Sequence, residues 1–225
     1  MRWRRSATPC SPCGAPCLPD AARAPVAGRD RAAAAWAALA ALLVLCGAGG
    51  WFAPRELLDW QPALALAQPW RWFSAVGVHY SAAHLGVNLL GALLVGALGW
   101  AARVNAPMVA AWASAWPLSH LLLGLQPELA HYGGLSGVLH AGVAAVAVHL
   151  LRVGPAAARR IGVAMAVLLV AKVVSEAPWQ APALNAPLGI MVAPLAHAAG
   201  ATAGAASALV WVALAAAAHR WSTRR

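Results

Sequence analysis

Acidic side chains are almost missing from this sequence. Asp and Glu together fill six of 225 positions, all charged residues amount to 10%, and 62% of the chain is hydrophobic. So little charge cannot furnish a water-facing surface, which excludes an ordinary soluble domain. Cysteine is limited to four residues, and three of them (Cys10, Cys13 and Cys17) stand at C-x2-C-x3-C spacing in a tail rich in Arg, Pro and Ala. No fourth ligand lies nearby and the prolines resist a compact knuckle, so no metal is expected and the tail reads as reduced and unstructured. Basic residues are plentiful and leave a net charge of +10. They sit between apolar runs rather than on one soluble face, which argues against nucleic acid as a partner and for a role in membrane orientation.

What the chain does have is apolar runs of about 20 residues, the length of a bilayer-spanning helix. They predict an all-α polytopic membrane protein with six transmembrane helices. Residues 1–30 read as a disordered basic cytoplasmic tail, 31–220 as the membrane domain, and 221–225 as a second basic tail. The expected spans are Ala32–Phe52, Ala83–Ala102, Ala106–Leu125, Leu135–Leu151, a short Ile161–Val174, and Leu188–Ala218. The first is too long and too late for a secretory signal. A long loop between the first two carries Arg55, Glu56, Asp59 and the cluster Trp70-Arg71-Trp72-Phe73, a composition suited to the lipid headgroup layer. Thirteen of the sixteen basic residues fall on one side of this topology, against Arg55, Arg71 and Lys172 on the other. Both termini are therefore expected in the cytoplasm.

The second, fourth and sixth spans then all begin at the outer face. Their outer portions carry His84 and Asn88, Ser136 and His140, and His197, about 5–15 Å below the surface at 1.5 Å rise per residue. Polar groups at that depth are costly unless they meet one another or line a wet cavity. Ser136 sits between glycines in Gly133-Gly134-Leu135-Ser136-Gly137, where the backbone can approach another chain and free amides can face an anion. A serine needs a base to become nucleophilic, and His197 is the candidate. His84 and Asn88, four apart on one helix face, are candidate donors to an oxyanion, together with the Ser136 amide. Gly200 and Gly204 form a G-x-x-x-G pair that lets helices pack closely. Glu128 and Glu176 are expected near the outer surface, so the arrangement reads as a Ser–His dyad without a carboxylate. His140, one turn from Ser136, is a second candidate base, but a residue on the same helix points back along it and reaches the serine oxygen poorly.

Each residue also has an ordinary reading. A membrane serine commonly bonds its own helix, and a histidine can simply pair between helices. Two rival functions follow: a non-catalytic protein that binds membrane helices, and a haem-binding electron carrier. The second leaves the glycine-flanked serine unexplained. His79 and His131 are expected near the surface, and His120, His149 and His219 have no partner that the sequence names.

Gly134-Leu135-Ser136-Gly137 resembles the G-x-S-G motif of rhomboid intramembrane serine proteases. His197-Ala198-Ala199-Gly200 followed by Gly204 resembles their H-x-x-G-x-x-x-G helix, His84-x-x-x-Asn88 their oxyanion pair, and Trp70-Arg71 an element of their first loop. The resemblance covers roughly residues 32–218. It implies a six-helix rhomboid fold, no cofactor, and cleavage of transmembrane substrates near their exposed ends. Many rhomboids place tyrosine where this chain has His140. The form Tyr132-Gly133-Gly134-Leu135-Ser136-Gly137-Val138-Leu139-His140 is similar to the bacterial rhombosortase branch. That resemblance implies inner-membrane substrates with a C-terminal Gly-Gly, a membrane helix and a basic tail.

Overall fold

The computed structural model describes residues 24–224; the three tail cysteines lie outside them. The chain is a helical bundle. In order it forms α1 (Ala24–Gly50), two single-turn helices α2 (Arg55–Leu58) and α3 (Arg71–Ser74), then α4 (Ala82–Ala101), α5 (Ala106–Leu122), α6 (Ser136–Val153) and α7 (Ala156–Ser175). A two-stranded antiparallel hairpin, β1 (Ala183–Asn185) and β2 (Ile190–Val192), precedes α8 (Leu195–Ser222). Among the described residues five segments are long and apolar enough to cross a membrane: 28–50, 82–101, 106–125, 136–153 and 195–222. The chain is thus an all-α membrane-type protein with one small hairpin that the hydropathy pattern did not announce.

Several expected boundaries move. Helix α1 starts at Ala24, so residues 24–30 belong to it rather than to a disordered tail. Arg103 on the far side of α4 meets Asp30 at 2.6 Å and ties that extension down. Residues 188–194, expected to open the last span, lie in the hairpin and the turn after it, and α8 begins behind Pro194. At the other end α8 continues through Ser222, into the segment expected to be tail. Helix α7 is 20 residues long, longer than the short fifth helix expected, yet it is not among the five candidate spans.

α6 lies at the centre, with α4, α5, α7 and α8 packed around it. Tryptophans hold the first layer together. Trp36 of α1 and Trp112 of α5 bring their ring centroids to 4.2 Å. Their indole N–H groups donate to the carbonyls of Val95 in α4 and Val138 in α6, at 2.9 and 2.8 Å. A buried indole must find an acceptor, and these two find one on neighbouring helices, so the bonds also fix how those helices are rotated. On its other side α6 meets α8 backbone to backbone. A Cβ at Gly200 would overlap the Gly137 carbonyl, and one at Gly204 would overlap the Ala141 carbonyl. Only glycine allows this approach. Around the bundle, Leu90, Leu93 and Leu94 of α4, Val167 and Leu168 of α7, and Leu209 and Leu214 of α8 are exposed. Such a surface suits lipid rather than water.

Gly200→Leu should lower the thermal midpoint of the detergent-solubilised protein sharply, because the added side chain meets a carbonyl that cannot step aside. Overpacking of this kind costs about 3 kcal/mol or more. Gly49→Ala, where an added Cβ meets nothing within 4 Å, is the control and should leave the midpoint unchanged or slightly raised.

Candidate functional site

A cavity of about 600 Å³ opens between α4, α6, α8 and the hairpin. Ser136, His140, His197, His84 and Asn88 all line it. These five residues come from three helices and span more than a hundred positions of sequence. The structure therefore brings together every polar residue expected to form a site.

Ser136 is the first residue of α6. The first amides of a helix have no intrahelical partner, and the dipole there favours negative charge. The preceding Gly134 has φ +132°, a conformation that glycine tolerates and other residues rarely adopt. A Cβ on it would sit 2.9 Å from the His84 ring and 3.4 Å from Asn88 Nδ2. Glycine at this position therefore lets the segment before Ser136 lie directly on the two α4 side chains. His84 and Asn88 are both buried, and His84 Nδ1 and Asn88 Nδ2 have no hydrogen-bond partner. Buried polar atoms without a partner are costly. His79 was expected near the surface; it is buried instead, edge-on to His84 with centroids 4.9 Å apart.

The seam between α6 and α8 places the other half. His140 and His197 stack almost parallel, with centroids 4.1 Å apart and planes 12° apart. His140 Nδ1 donates to the Ser136 carbonyl at 2.7 Å, the bond of one helical turn. Its ring is thereby parked flat against His197. The Ala196 carbonyl lies so close to Gly137 that a Cβ there would stand 2.9 Å from it.

The sequence predicts no carboxylate at this depth, and the structure brings one to His197. His197 Nδ1 meets Glu176 Oε2 at 2.5 Å, and Lys172 donates to the other oxygen, Oε1. Because α7 runs on to Ser175, it delivers Glu176, its C-cap, to the first turn of α8. Partial burial pushes the Glu176 carboxyl up. The hydrogen bonds and charges of His197 and Lys172 outweigh that and hold it at about 2. The carboxylate is therefore ionised at neutral pH.

The first loop is built around a buried arginine. Arg71 is buried, and its guanidinium donates to Gln68 Oε1 (2.6 Å), to the Asp59 carbonyl and carboxylate (2.6 and 2.8 Å), and to the Glu56 carbonyl (2.8 Å). The second oxygen of Asp59 takes His131 Nδ1 at 2.6 Å. Next to it, Trp60 and Tyr132 exchange both backbone hydrogen bonds, at 2.7 and 2.9 Å. The loop is thus clamped to the segment that leads into Ser136. His120, which had no partner in the sequence, bonds the Trp72 carbonyl at 2.6 Å and so anchors the same loop to α5. The hairpin closes the top: Ser81 Oγ donates to the Leu188 carbonyl at 2.6 Å, and Gln126 Nε2 to the Gln180 carbonyl at 2.9 Å.

Arg71→Ala should destabilise the protein by about 3–5 kcal/mol, since it leaves the buried Asp59 carboxylate without its cation. A lowered melting midpoint together with faster proteolytic cutting between residues 53 and 81 would register it; an unchanged midpoint would mean the clamp carries no stability.

Among the described residues no group of three His, Cys, Asp or Glu side chains is gathered closely enough to hold a metal ion. No protein-family model and no curated protein matches the chain, so what the site does must be argued from its residues.

Proposed function

We propose that this protein is an intramembrane serine endopeptidase of the rhomboid type, most similar to the rhombosortase branch, that works in a bacterial inner membrane. The observation that carries the reading is the meeting of a serine at the first position of a helix, a histidine and two side chains with an unpartnered polar nitrogen around one cavity between apolar helices. A packing role for each residue separately would not need them to converge.

In the proposed reaction Ser136 Oγ attacks the scissile carbonyl while His197 takes its proton. The oxyanion of the tetrahedral intermediate is received by Asn88, His84 and the Ser136 amide, whose N–H groups the fold leaves available. The C–N bond breaks, His197 gives the proton to the leaving amine, and the acyl group remains as an ester on Ser136. A water, deprotonated by His197, then cleaves the ester. His140 is assigned the packing role that tyrosine fills in many rhomboids, in keeping with its flat stacking on His197. No cofactor is required by any step.

The substrates are transmembrane proteins cut near their outer ends, in the rhombosortase case within a C-terminal Gly-Gly, helix and basic tail. We assign α7 as the sixth span. Its exposed Ile161, Val163, Val167, Leu168, Val170 and Val174 suit lipid, and Arg159, Arg160 and Lys172 lie near its ends, where they can snorkel. Gly162 is its only buried residue, so α7 and the hairpin are the elements most easily displaced to admit a substrate helix from the side. Both termini then face the cytoplasm and the cavity opens to the periplasm.

Ser136→Ala should abolish cleavage of a co-expressed substrate carrying such a tail while membrane insertion is retained; substantial residual cutting would refute the assignment. His197→Ala should be as damaging, and the double variant little worse than either. His140→Tyr should keep activity, because one flat ring replaces another, whereas a phenol of pKa about 10 could not replace a general base. An inactive but folded His140→Tyr beside an active His197→Ala would move the base to α6. For orientation, a cysteine at Arg55 should react with an impermeant thiol reagent added outside, and one at Arg103 should not. The reverse pattern would invert the topology.

A further inference from the structure

We propose that Glu176 is the positioning residue of the base, completing a Ser136–His197–Glu176 triad across α6, α8 and the end of α7. The inference rests on the serine-peptidase reading and goes beyond the two-residue machinery that reading needs.

The geometry is specific. A histidine can serve a serine as base only through a nitrogen that carries no proton, and its other nitrogen must then hold one. His197 Nδ1 is 2.5 Å from Glu176 Oε2, so Nδ1 keeps the proton and Nε2 is left as the acceptor. The carboxylate is itself held on its second oxygen by Lys172, one helical turn earlier on α7. With α7 in place one oxygen of the carboxylate is directed to each partner, and the imidazole ring is further confined by the face of His140. When His197 takes the Ser136 proton, an imidazolium forms, and the neighbouring carboxylate stabilises that charge without accepting the proton. The ionised state of Glu176 at neutral pH is consistent with this use.

The bland alternative is that Glu176 only docks α7 against α8. The two roles separate by experiment. The full-length protein in detergent would be reacted with a fluorophosphonate, which forms a covalent bond only with an activated serine, and the rate would be followed against probe concentration. Wild type should label and Ser136→Ala should not. Glu176→Gln, which keeps size and polarity, should lower the maximal labelling rate by at least about tenfold while the half-saturating probe concentration stays near wild type. Glu176→Asp should recover part of the rate, and added formate should accelerate Glu176→Ala by supplying a carboxylate. Formate rescue also keeps the test decisive if one variant proves less stable.

A docking role predicts a lowered melting midpoint with maximal labelling rates within about twofold of wild type and no response to formate. That outcome would overturn the triad and leave the peptidase reading standing. Absence of Ser136-dependent labelling in wild type would overturn both.

Discussion

The near-contact of α6 and α8 backbones is the constraint on which the rest of this molecule depends. Lipid tails are as apolar as leucine, so helices of this kind gain little by burying apolar side chains against each other and rely on close packing. At Gly137 opposite Gly200, and Ala141 opposite Gly204, there is no room for even a Cβ on either α8 glycine. Ser136 and His140 ride on one helix of this pair and His197 on the other. A separation larger by one methyl group would part the His140 and His197 rings and move His197 away from the α6 N-terminus. The packing of the two helices and the placement of these polar side chains are here one interaction.

The remaining polar groups are positioned by the cost of leaving them unpaired. Arg71 is buried and finds four acceptors, three of them on the segment 56–59, so the first loop has little freedom to take another shape. Through Asp59 and the Trp60–Tyr132 backbone pair, that rigidity reaches the residues just before Ser136. Gly134 then turns the chain onto His84 and Asn88. The segment that enters the cavity wall is thus set by a chain of satisfied hydrogen bonds, while His84 Nδ1 and Asn88 Nδ2 on α4 and the Tyr80 hydroxyl are left without a partner.

Much of this was legible in the sequence, for physical reasons. Bilayer-length apolar runs identify helices because a membrane demands about 20 residues, and the glycine spacing in 197–204 marks a close seam. The shared depth of His84, Asn88, Ser136 and His197 followed from the same arithmetic. What escaped was set by tertiary contacts or by ambiguous short segments. Leu188-Gly189-Ile190-Met191-Val192 reads equally as strand or as the opening of a helix, since a short apolar run carries no decisive period. Hairpin pairing to β1 and the anchor from Ser81 settle it as strand. Nothing in the neighbourhood of Arg71 reveals Asp59 twelve positions earlier folding beneath it. Glu176 was placed near the surface correctly enough, but the length of α7 and the start of α8 at Leu195 had to be known before its reach to His197 could be seen.

The scarcity of acids gives the last step. A carboxylate near a membrane is costly, and a chain with only six must use each where it returns something. Asp59 and Glu176 are used in the same way. Each divides its two oxygens between a cation and a histidine, Arg71 and His131 in one case and Lys172 and His197 in the other. Both histidines line the cavity, one at the segment leading to α6 and one at the first turn of α8. The cation offsets the cost of the charge, and the histidine receives a fixed ring orientation. A carboxylate kept only for solubility would have stayed in water, unpaired. Two that are paired in this way, each with a histidine that lines one cavity, set those two rings, while Asp30 pairs with Arg103 instead.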